Sequence, residues 1–410
     1  MMKLFSRLML VLALGVTSPA YASQDGEVTL KLIETSDVHG CYFSYDFISM
    51  KPRKGGLACV SSFVKEQREQ YYIDTTSVHV TSAMLNYMKY DVGTMGNHDV
   101  ETGHAVYDRW VKQCAFPVLG ANIVDNKTGE PYLTPYKIIE RKGVKIAVLG
   151  MITPAIPSWL PEQLWNGLHF EDMEDCARKW VKIIKEKENP DVLIGLFHAG
   201  PEGNKLDNVV ENGSGDVAKN VPGFDVVFMG HDHVRRCEKI VNVAGDSVLL
   251  VDPANAARYV SDVTVKVTKA GGKLVRKSVE GALADVSRYA ADEDFMREFA
   301  GQYQATVDFV SRKIGRIEET ITTKDAYLGP SAFIDLLHQL QLDITGADIS
   351  FCAPLSFSAE IKKGDIYMSD MFNLYKYENL LYTMKLTGKE IKDFLEMSYA
   401  LWTNQMKSPD

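Results

Sequence analysis

The 410-residue sequence lacks the long apolar runs of a membrane-spanning protein. Leu8 to Val16 is apolar but shorter than the roughly 20 residues that cross a bilayer, and no other stretch is long and apolar enough. The six cysteines follow no spacing typical of a disulfide framework or a zinc ribbon, so we expect isolated thiols. Internal repeats and low-complexity tracts are also absent, which excludes repeat and fibrous architectures.

The chain also has fewer basic than acidic residues. The chain has 45 Lys and Arg against 54 Asp and Glu, for a formal net charge of -9. A long nucleic-acid polymer is therefore excluded as the expected partner, because polymer binding needs a basic face. A small phosphate ester remains compatible with this charge if metal cations supply local positive charge. The length favours two domains.

The first residues have the pattern of a secretory signal peptide. Lys3 and Arg7 precede the apolar run, and Ala20-Tyr21-Ala22 is a small-x-small cleavage signal. The alternative is an N-terminal membrane anchor, but the polar residues after Ala22 favour cleavage. We therefore expect a signal peptide over residues 1–22 and an exported mature chain, most simply in a bacterial periplasm.

Several short runs rich in Val and Ile end in polar clusters. Runs of this kind, punctuated by Gly, predict buried strands, and helical patterns such as Glu171 to Glu188 lie between some of them. The alternation predicts an α/β domain, in which ligands collect at the carboxyl ends of strands. The clusters that follow four of these runs are Ser36-Asp37-Val38-His39, Gly96-Asn97-His98-Asp99, His198-Ala199-Gly200 and Gly230-His231-Asp232-His233.

The sequence after Asp246 predicts a different arrangement of secondary structure. Gly271-Gly272 indicates a hairpin turn, and the apolar spacing over Asp292 to Ser311 indicates one helix. A further helix is expected around Ser331 to Leu342 and a strand around Asp348 to Cys352.

Five of the nine histidines fall in the four clusters, which indicates a metal site. Zn²⁺, Mn²⁺ and Fe²⁺ accept mixed imidazole and oxygen ligands. A single Asp-x-His is weak evidence, but scattered structural histidines have no reason to share one edge of one sheet. The other four match no motif and are expected to be structural or surface residues: His79, His104, His169 and His338.

These motifs, in this order, resemble those of the calcineurin-like metallophosphoesterases, and within them the bacterial 5′-nucleotidase and 2′,3′-cyclic-nucleotide 2′-phosphodiesterase group. The resemblance runs from Leu32–Gly40 to Leu386–Glu390. It implies a four-layer α/β/β/α sandwich followed by an α/β C-terminal substrate domain. The implied domains are a metallophosphoesterase domain over 27–285, a linker helix over 286–313 and an incomplete 5′-nucleotidase C-terminal domain over 314–410.

The resemblance also implies the roles of the clustered residues. Two divalent ions of the Zn, Mn or Fe type would be held, the first by Asp37, His39 and His233 and the second by Asn97, His198 and His231. His98 would stabilise charge on the phosphate and assist the leaving group. Glu101 would orient His98, the alternative being a solvated loop acid, and Asp99 would support the loop. The implied reaction is hydrolysis of a small phosphate ester, most simply a nucleotide, by a metal-bound hydroxide.

Two features depart from the family pattern. The family's Gly-Asp block, whose Asp bridges both metals, is not found, and the segment around Glu69-Gln70-Tyr71 has the look of a deletion joint. Ser358 stands about where the family has an Arg near the start of its substrate motif, and the end of the family's C-terminal domain is not found after the helix expected over Phe394 to Ala400, so the sequence assigns no substrate-binding residues. The alternative function is therefore a catalytically impaired or non-enzymatic binding fragment.

Overall fold

The computed structural model describes residues 26–67, 79–203, 205–206, 209–327, 329–353, 356, 358–374 and 381–402. The expected signal peptide over 1–22 and the expected deletion joint at 69–71 lie outside the described residues. No helix in the described part of the chain is long and apolar enough to cross a membrane. The contacts divide the chain into two compact units, Met1–Tyr45 with Pro52–Gln302 and Asp46–Lys51 with Tyr303–Asp410.

The elements as far as Val310 alternate between strands and helices. The strands are β1 (Gly26–Glu34), β2 (Tyr45–Asp46), β3 (Lys51–Pro52), β4 (Gly93–Thr94), β5 (Val118–Leu119), β6 (Ile123–Asp125), β7 (Tyr136–Arg141), β8 (Val144–Ile152), β9 (Leu168–Phe170), β10 (Val192–His198), β11 (Lys205–Leu206), β12 (Val209–Val210), β13 (Val226–Phe228), β14 (Arg236–Val241), β15 (Ser247–Asp252), β16 (Tyr259–Ala270) and β17 (Lys273–Asp285). The helices are α1 (Leu57–Gln67), α2 (Val80–Tyr87), α3 (Asn97–Val100), α4 (His104–Gln113), α5 (Ile156–Trp159), α6 (Met173–Lys187), α7 (Ser214–Asn220), α8 (Glu293–Glu298) and α9 (Ala300–Val310).

Two sheets form the centre of the first unit. The larger has the order β14-β15-β13-β10-β8-β7, in which β15, β13, β10 and β8 are parallel and the edge strands β14 and β7 are antiparallel. The smaller is the antiparallel sheet β1-β16-β17, and the predicted turn at Gly271-Gly272 joins β16 to β17. The parallel centre places the carboxyl ends of β8, β10, β13 and β15 at one edge.

The apolar core lies on both faces of the larger sheet. Val148 and Ile194 face the smaller sheet, where they pack with Val265 and its neighbours. Leu149, which follows Val148 on β8, and Leu193, which precedes Ile194 on β10, face α6 and α7 instead. This period of two is what a buried strand requires. In the smaller sheet, β16 contacts the turn at 286–288, and that turn contacts α1. The expected α/β class is confirmed.

Helix α6 shows how the sequence sets these layers. It begins after Asp172, whose side chain accepts hydrogen bonds from the backbone amides of Glu174 and Asp175. Its buried residues recur at helical spacing and so cover the sheet with one face: Met173, Cys176, Ala177, Val181 and Ile184.

The single helix expected over Asp292 to Ser311 is wrong in one respect. The segment forms two helices, α8 and α9, because Phe299 leaves helical geometry with φ of -102° and ψ of 19°. The Phe299 ring is buried against Phe295 and Tyr87, and this aromatic packing accompanies the break.

The second unit contains β18 (Lys313–Ile317), β19 (Ile321–Thr322), β20 (Glu360–Ile361), β21 (Gly364–Tyr367), α10 (Ala332–Thr345), α11 (Met368–Leu374) and α12 (Gly388–Trp402). The expected helix near 331–342 is α10, which runs on to a left-handed Gly346 that ends it. The strand expected over Asp348 to Cys352 is absent from the described structure. Ser350 there bonds to the side chains of His338 and Gln341 instead.

Candidate metal centre

The four polar clusters lie where strands end. Asp37 and His39 follow β1, and Asn97 begins α3 just after β4. His198 is the last residue of β10, and His231 follows β13. Because β10 and β13 are parallel neighbours, His198 and His231 leave the same edge of the sheet, as the sequence predicts.

Asp37, His39 and His233 form a first donor group. Asp37 Oδ1 lies 3.6 Å from His39 Nε2 and 3.5 Å from His233 Nε2. The two imidazole nitrogens are only 2.9 Å apart. Two ring nitrogens and a carboxylate oxygen that converge in this way fit a divalent cation of the Zn, Mn or Fe type.

Asn97, His198 and His231 form a second donor group beside the first. Asn97 Oδ1 lies 2.8 Å from His198 Nε2 and 3.2 Å from His231 Nδ1. Asp37 Oδ1 is also 3.9 Å from His198 Nε2, so one carboxylate oxygen faces donors of both groups. The two predicted ligand sets therefore lie side by side as two adjacent clusters.

Backbone geometry holds these side chains in place. Asp37, His39, His231 and His233 have φ of 45°, 46°, 81° and 61°, in the left-handed region that non-glycine residues rarely adopt. The His231 amide donates to Asp37 Oδ2 at 2.9 Å, and the Ala256 amide donates to the Asp37 carbonyl at 2.9 Å. These bonds connect the three separate loops that carry Asp37, His231 and Ala256.

His98 stands beside the first donor group, outside both clusters. Its ring centroid is 5.0 Å from that of His39, and its side chain is exposed to solvent. His98 Nδ1 lies 2.7 Å from Glu101 Oε2, and this hydrogen bond raises the pKa of His98. Asp99 accepts a hydrogen bond from the Gly96 amide at 2.8 Å, which matches the loop-supporting role expected for it.

Burial and neighbouring charges set the protonation states of the cluster. Burial alone would raise the pKa of Asp37, but His198, the Ser36 hydroxyl and the His231 amide lower it below its usual value. Burial lowers the pKa of His198 to about 4 and also lowers that of His39. An ionised carboxylate beside neutral imidazoles is the state in which these groups bind metal ions.

Several residues of the site carry no motif, and sequence reasoning missed them. Glu211 Oε1 lies 3.1 Å from His231 Nε2, and Asn255 Nδ2 lies 3.1 Å from His233 Nδ1. The Trp159 indole lies 5.4 Å from the His231 ring, measured between centroids. Only the acid type of Glu211 and the position of Asn255 after β15 could have drawn attention to them.

The remaining histidines lie in other surroundings. His79 precedes α2 and donates its backbone amide to Gln113, and the other three bond to groups outside the cluster. Those bonds are His104 to the Asn166 carbonyl, His169 to Asn126 and His338 to Ser350. The six cysteines, all in the described part of the chain, form no disulfide there.

An α/β sandwich with two adjacent clusters of His, Asp and Asn at its strand ends is an arrangement that suits a metal-dependent hydrolase. Residues 30–235 match the sequence profile described as calcineurin-like phosphoesterase, and residues 313–409 match the profile described as 5′-nucleotidase, C-terminal domain. The first match covers half of the chain. The chain belongs to the calcineurin-like phosphoesterase family, whose members are hydrolases that use divalent metals.

Curated relatives support this assignment. The chain is 25% identical to the trifunctional nucleotide phosphoesterase protein YfkN of Bacillus subtilis, over 93% of this chain and 31% of that protein. It is 26% identical to a 2′,3′-cyclic-nucleotide 2′-phosphodiesterase/3′-nucleotidase of Haemophilus influenzae, over 96% of this chain and 70% of that protein. The chain thus spans less than a third of the Bacillus relative's length.

Solved structures show the same fold. A putative 5′-nucleotidase from Staphylococcus aureus in complex with alpha-ketoglutarate aligns with a TM-score of 0.69 at 21% identity, over 85% of this chain and 72% of that chain. The calcineurin-like phosphoesterase YfkN from Bacillus subtilis aligns with a TM-score of 0.60 at 23% identity, over 70% of this chain and all of that chain. These likenesses show the fold, whereas the family profile and the relatives support the phosphoesterase interpretation and do not favour the impaired fragment.

Proposed function

We propose that this phosphoesterase acts on nucleotides, with Asp37, His39 and His233 holding one divalent ion and Asn97, His198 and His231 a second. The observation that carries the proposal is the pair of adjacent donor groups with Asp37 Oδ1 facing both. Two divalent ions, when bound, supply Lewis acidity to a phosphate ester and lower the pKa of an attacking water.

His98 is proposed to act on the substrate itself. Its ring is exposed, adjacent to His39, and held by Glu101 through Nδ1. Nε2 of His98 is therefore free to face the phosphate or the leaving oxygen. Because the pKa of His98 is raised, the ring keeps a proton that it can donate near neutral pH. Glu101 serves as the positioning residue that fixes this orientation.

The nucleotide substrate comes from the names of the relatives, which include nucleotide phosphoesterases and 5′-nucleotidases. A net charge of -9 favours a small ester over a nucleic-acid polymer. Export belongs to the same proposal and rests on Lys3, Arg7 and the apolar run before Ala22. We assign the chemistry to residues 27–285 and substrate contacts to residues 314–410, joined by the segment 286–313.

The test combines metal content with turnover. The purified mature chain is loaded with Mn²⁺ or Zn²⁺, its metal is counted by mass spectrometry, and phosphate release is measured from 5′-, 3′- and 2′,3′-cyclic nucleotides and from a sugar phosphate. Two ions and nucleotide turnover are expected. Turnover of the sugar phosphate alone would contradict the nucleotide substrate, and one ion or none without turnover would support the impaired fragment.

A variant pair tests the role of His98. His98→Ala is expected to reduce kcat about a hundred- to ten-thousandfold while metal content stays at the parent level, since general acid catalysis contributes this much. The matched control is His169→Ala, because His169 is an exposed histidine bonded to Asn126 and not to the donor groups. Equal loss of metal and rate in His98→Ala would place His98 among the ligands instead.

A further inference from the structure

Glu211 is a carboxylate at the second donor group that no motif marks. It lies on the connection between β10 and α7, directly after β12. Its Oε1 is 3.1 Å from Nε2 of His231, whereas Nδ1 of the same ring is 3.2 Å from Asn97 Oδ1. The two ring nitrogens of His231 therefore face different partners, with Nδ1 directed to the donor group and Nε2 to Glu211.

The backbone around Glu211 is anchored on both sides. The buried Thr153 hydroxyl donates to the Glu211 carbonyl at 2.7 Å. The next residue, Asn212, accepts a hydrogen bond from the Gly200 amide through its side chain. Gly200 lies two residues after His198. The segment that carries His198 therefore also holds the backbone next to Glu211.

We propose that Glu211 is a positioning residue for the second donor group, which sets the tautomer of His231. A carboxylate can only accept, so the neutral His231 ring carries its proton on Nε2 and presents an unprotonated Nδ1 beside Asn97 and His198. Hydrogen bonds from a carboxylate to the outer nitrogen of a ligand imidazole fix ring orientation and raise ligand basicity. The inference rests on the metal-ligand role proposed above for His231.

Charge gives Glu211 a second effect. Asn97, His198 and His231 are donors that carry no negative charge, and the Asp37 carboxylate reaches this group only at 3.9 Å, from Oδ1 to His198 Nε2. Glu211 adds one negative charge on the far side of His231, which offsets part of the repulsion between two nearby cations. This contribution matters more here because the family's Gly-Asp block is not found in the sequence.

The experiment follows tautomer and metal affinity separately. Long-range ¹H–¹⁵N correlation spectra of the metal-free protein, at about pH 8 and so above the ordinary pKa of imidazole, report which nitrogen of His231 carries the proton. Mn²⁺ titration followed by the EPR signal of free Mn²⁺ reports the affinity of each class of site. The parent is compared with Glu211→Ala and Glu211→Gln, and the matched control is Glu202→Ala, an exposed acid of the same connection.

The parent and Glu202→Ala are expected to hold the Nε2–H tautomer. Glu211→Ala should populate the Nδ1–H form and lose about 10- to 100-fold in affinity for the second Mn²⁺ only. Glu211→Gln keeps an accepting oxygen and should retain the tautomer with a smaller loss. Parent-like tautomer and affinity in Glu211→Ala would overturn the inference. A parent that binds one Mn²⁺ or none would contradict the two-ion proposal, while the tautomer would still test Glu211.

Discussion

Gly230 leaves no room for a side chain, and this gives a sharp test of the donor geometry. A Cβ at Gly230 would lie 2.0 Å from Ser36 Oγ and 2.7 Å from Asp37 Oδ2, where real Cβ contacts do not occur. Gly230→Ala must therefore move either the backbone before His231 or the side chains of Ser36 and Asp37. The first route disturbs His231 of the second donor group, and the second route disturbs Asp37 of the first.

The two routes have similar energetic costs. A shift of packed backbone costs about 1–3 kcal/mol. Rotation of Asp37 instead gives up the hydrogen bond from the His231 amide, and a bond to a charged acceptor is worth about 1.5–3 kcal/mol. We expect the metal-free variant to lose about 1–3 kcal/mol of unfolding free energy in urea, and its Mn²⁺ affinity to fall more than its stability suggests, because Asp37 faces both groups.

Two further variants make the test specific. Gly301→Ala introduces the same methyl group in α9, where nothing lies within 4 Å, and should be neutral or stabilising. Ser36→Ala combined with Gly230→Ala removes the 2.0 Å overlap but leaves the one with Asp37, so stability should partly return and metal binding should not. Gly230→Ala with parent Mn²⁺ affinity and a stability within about 0.5 kcal/mol of the parent would refute the reasoning.

Three other outcomes are expected. Glu101→Gln replaces the carboxylate whose hydrogen bond and charge raise the pKa of His98, so the alkaline fall of kcat should move to lower pH. An alkaline fall at the parent pH would show that Glu101 does not set this pKa. Asn97→Ala and His231→Ala should each lower occupancy of one ion and leave the other measurable by mass spectrometry, whereas parent-like binding in both would show the assignment to be wrong. Cells that express the full sequence should export a chain cleaved near Ala22, and intact-mass detection of residues 1–22 in the periplasmic protein would contradict cleavage at that site.

The positions of the proposed donors could be predicted from the sequence because each lies at the end of a strand or shortly after it. Once β10 and β13 are recognised as buried strands, the positions of His198 and His231 follow from chain direction alone. Glu211 could not be found in this way, since it reaches His231 from a loop whose course is set by the hydrogen bond from Thr153. Contacts between loops depend on tertiary packing that no local pattern encodes.

The differences in secondary structure have the same origin. The apolar spacing over Asp292 to Ser311 is helical, and the break at Phe299 arises where that ring packs against Tyr87, far away in sequence. The residues near Ser350 have the composition of a strand, yet that serine bonds to His338 and Gln341 side chains on α10. Local propensity is overridden in both places by a specific tertiary contact.

The left-handed backbone at Asp37, His39, His231 and His233 would bear on which ion the proposed metal centre accepts. Each such residue costs about 1–2 kcal/mol, and here the fold bears that cost through the hydrogen bonds to Asp37. A receptor whose shape is set by its own scaffold sorts ions by the coordination geometry they tolerate, not by their place in the affinity series. Copper(II), which heads that series but favours tetragonal coordination, would then gain least from this receptor, and Mn²⁺, Fe²⁺ and Zn²⁺ would compete for it mainly through their cellular supply.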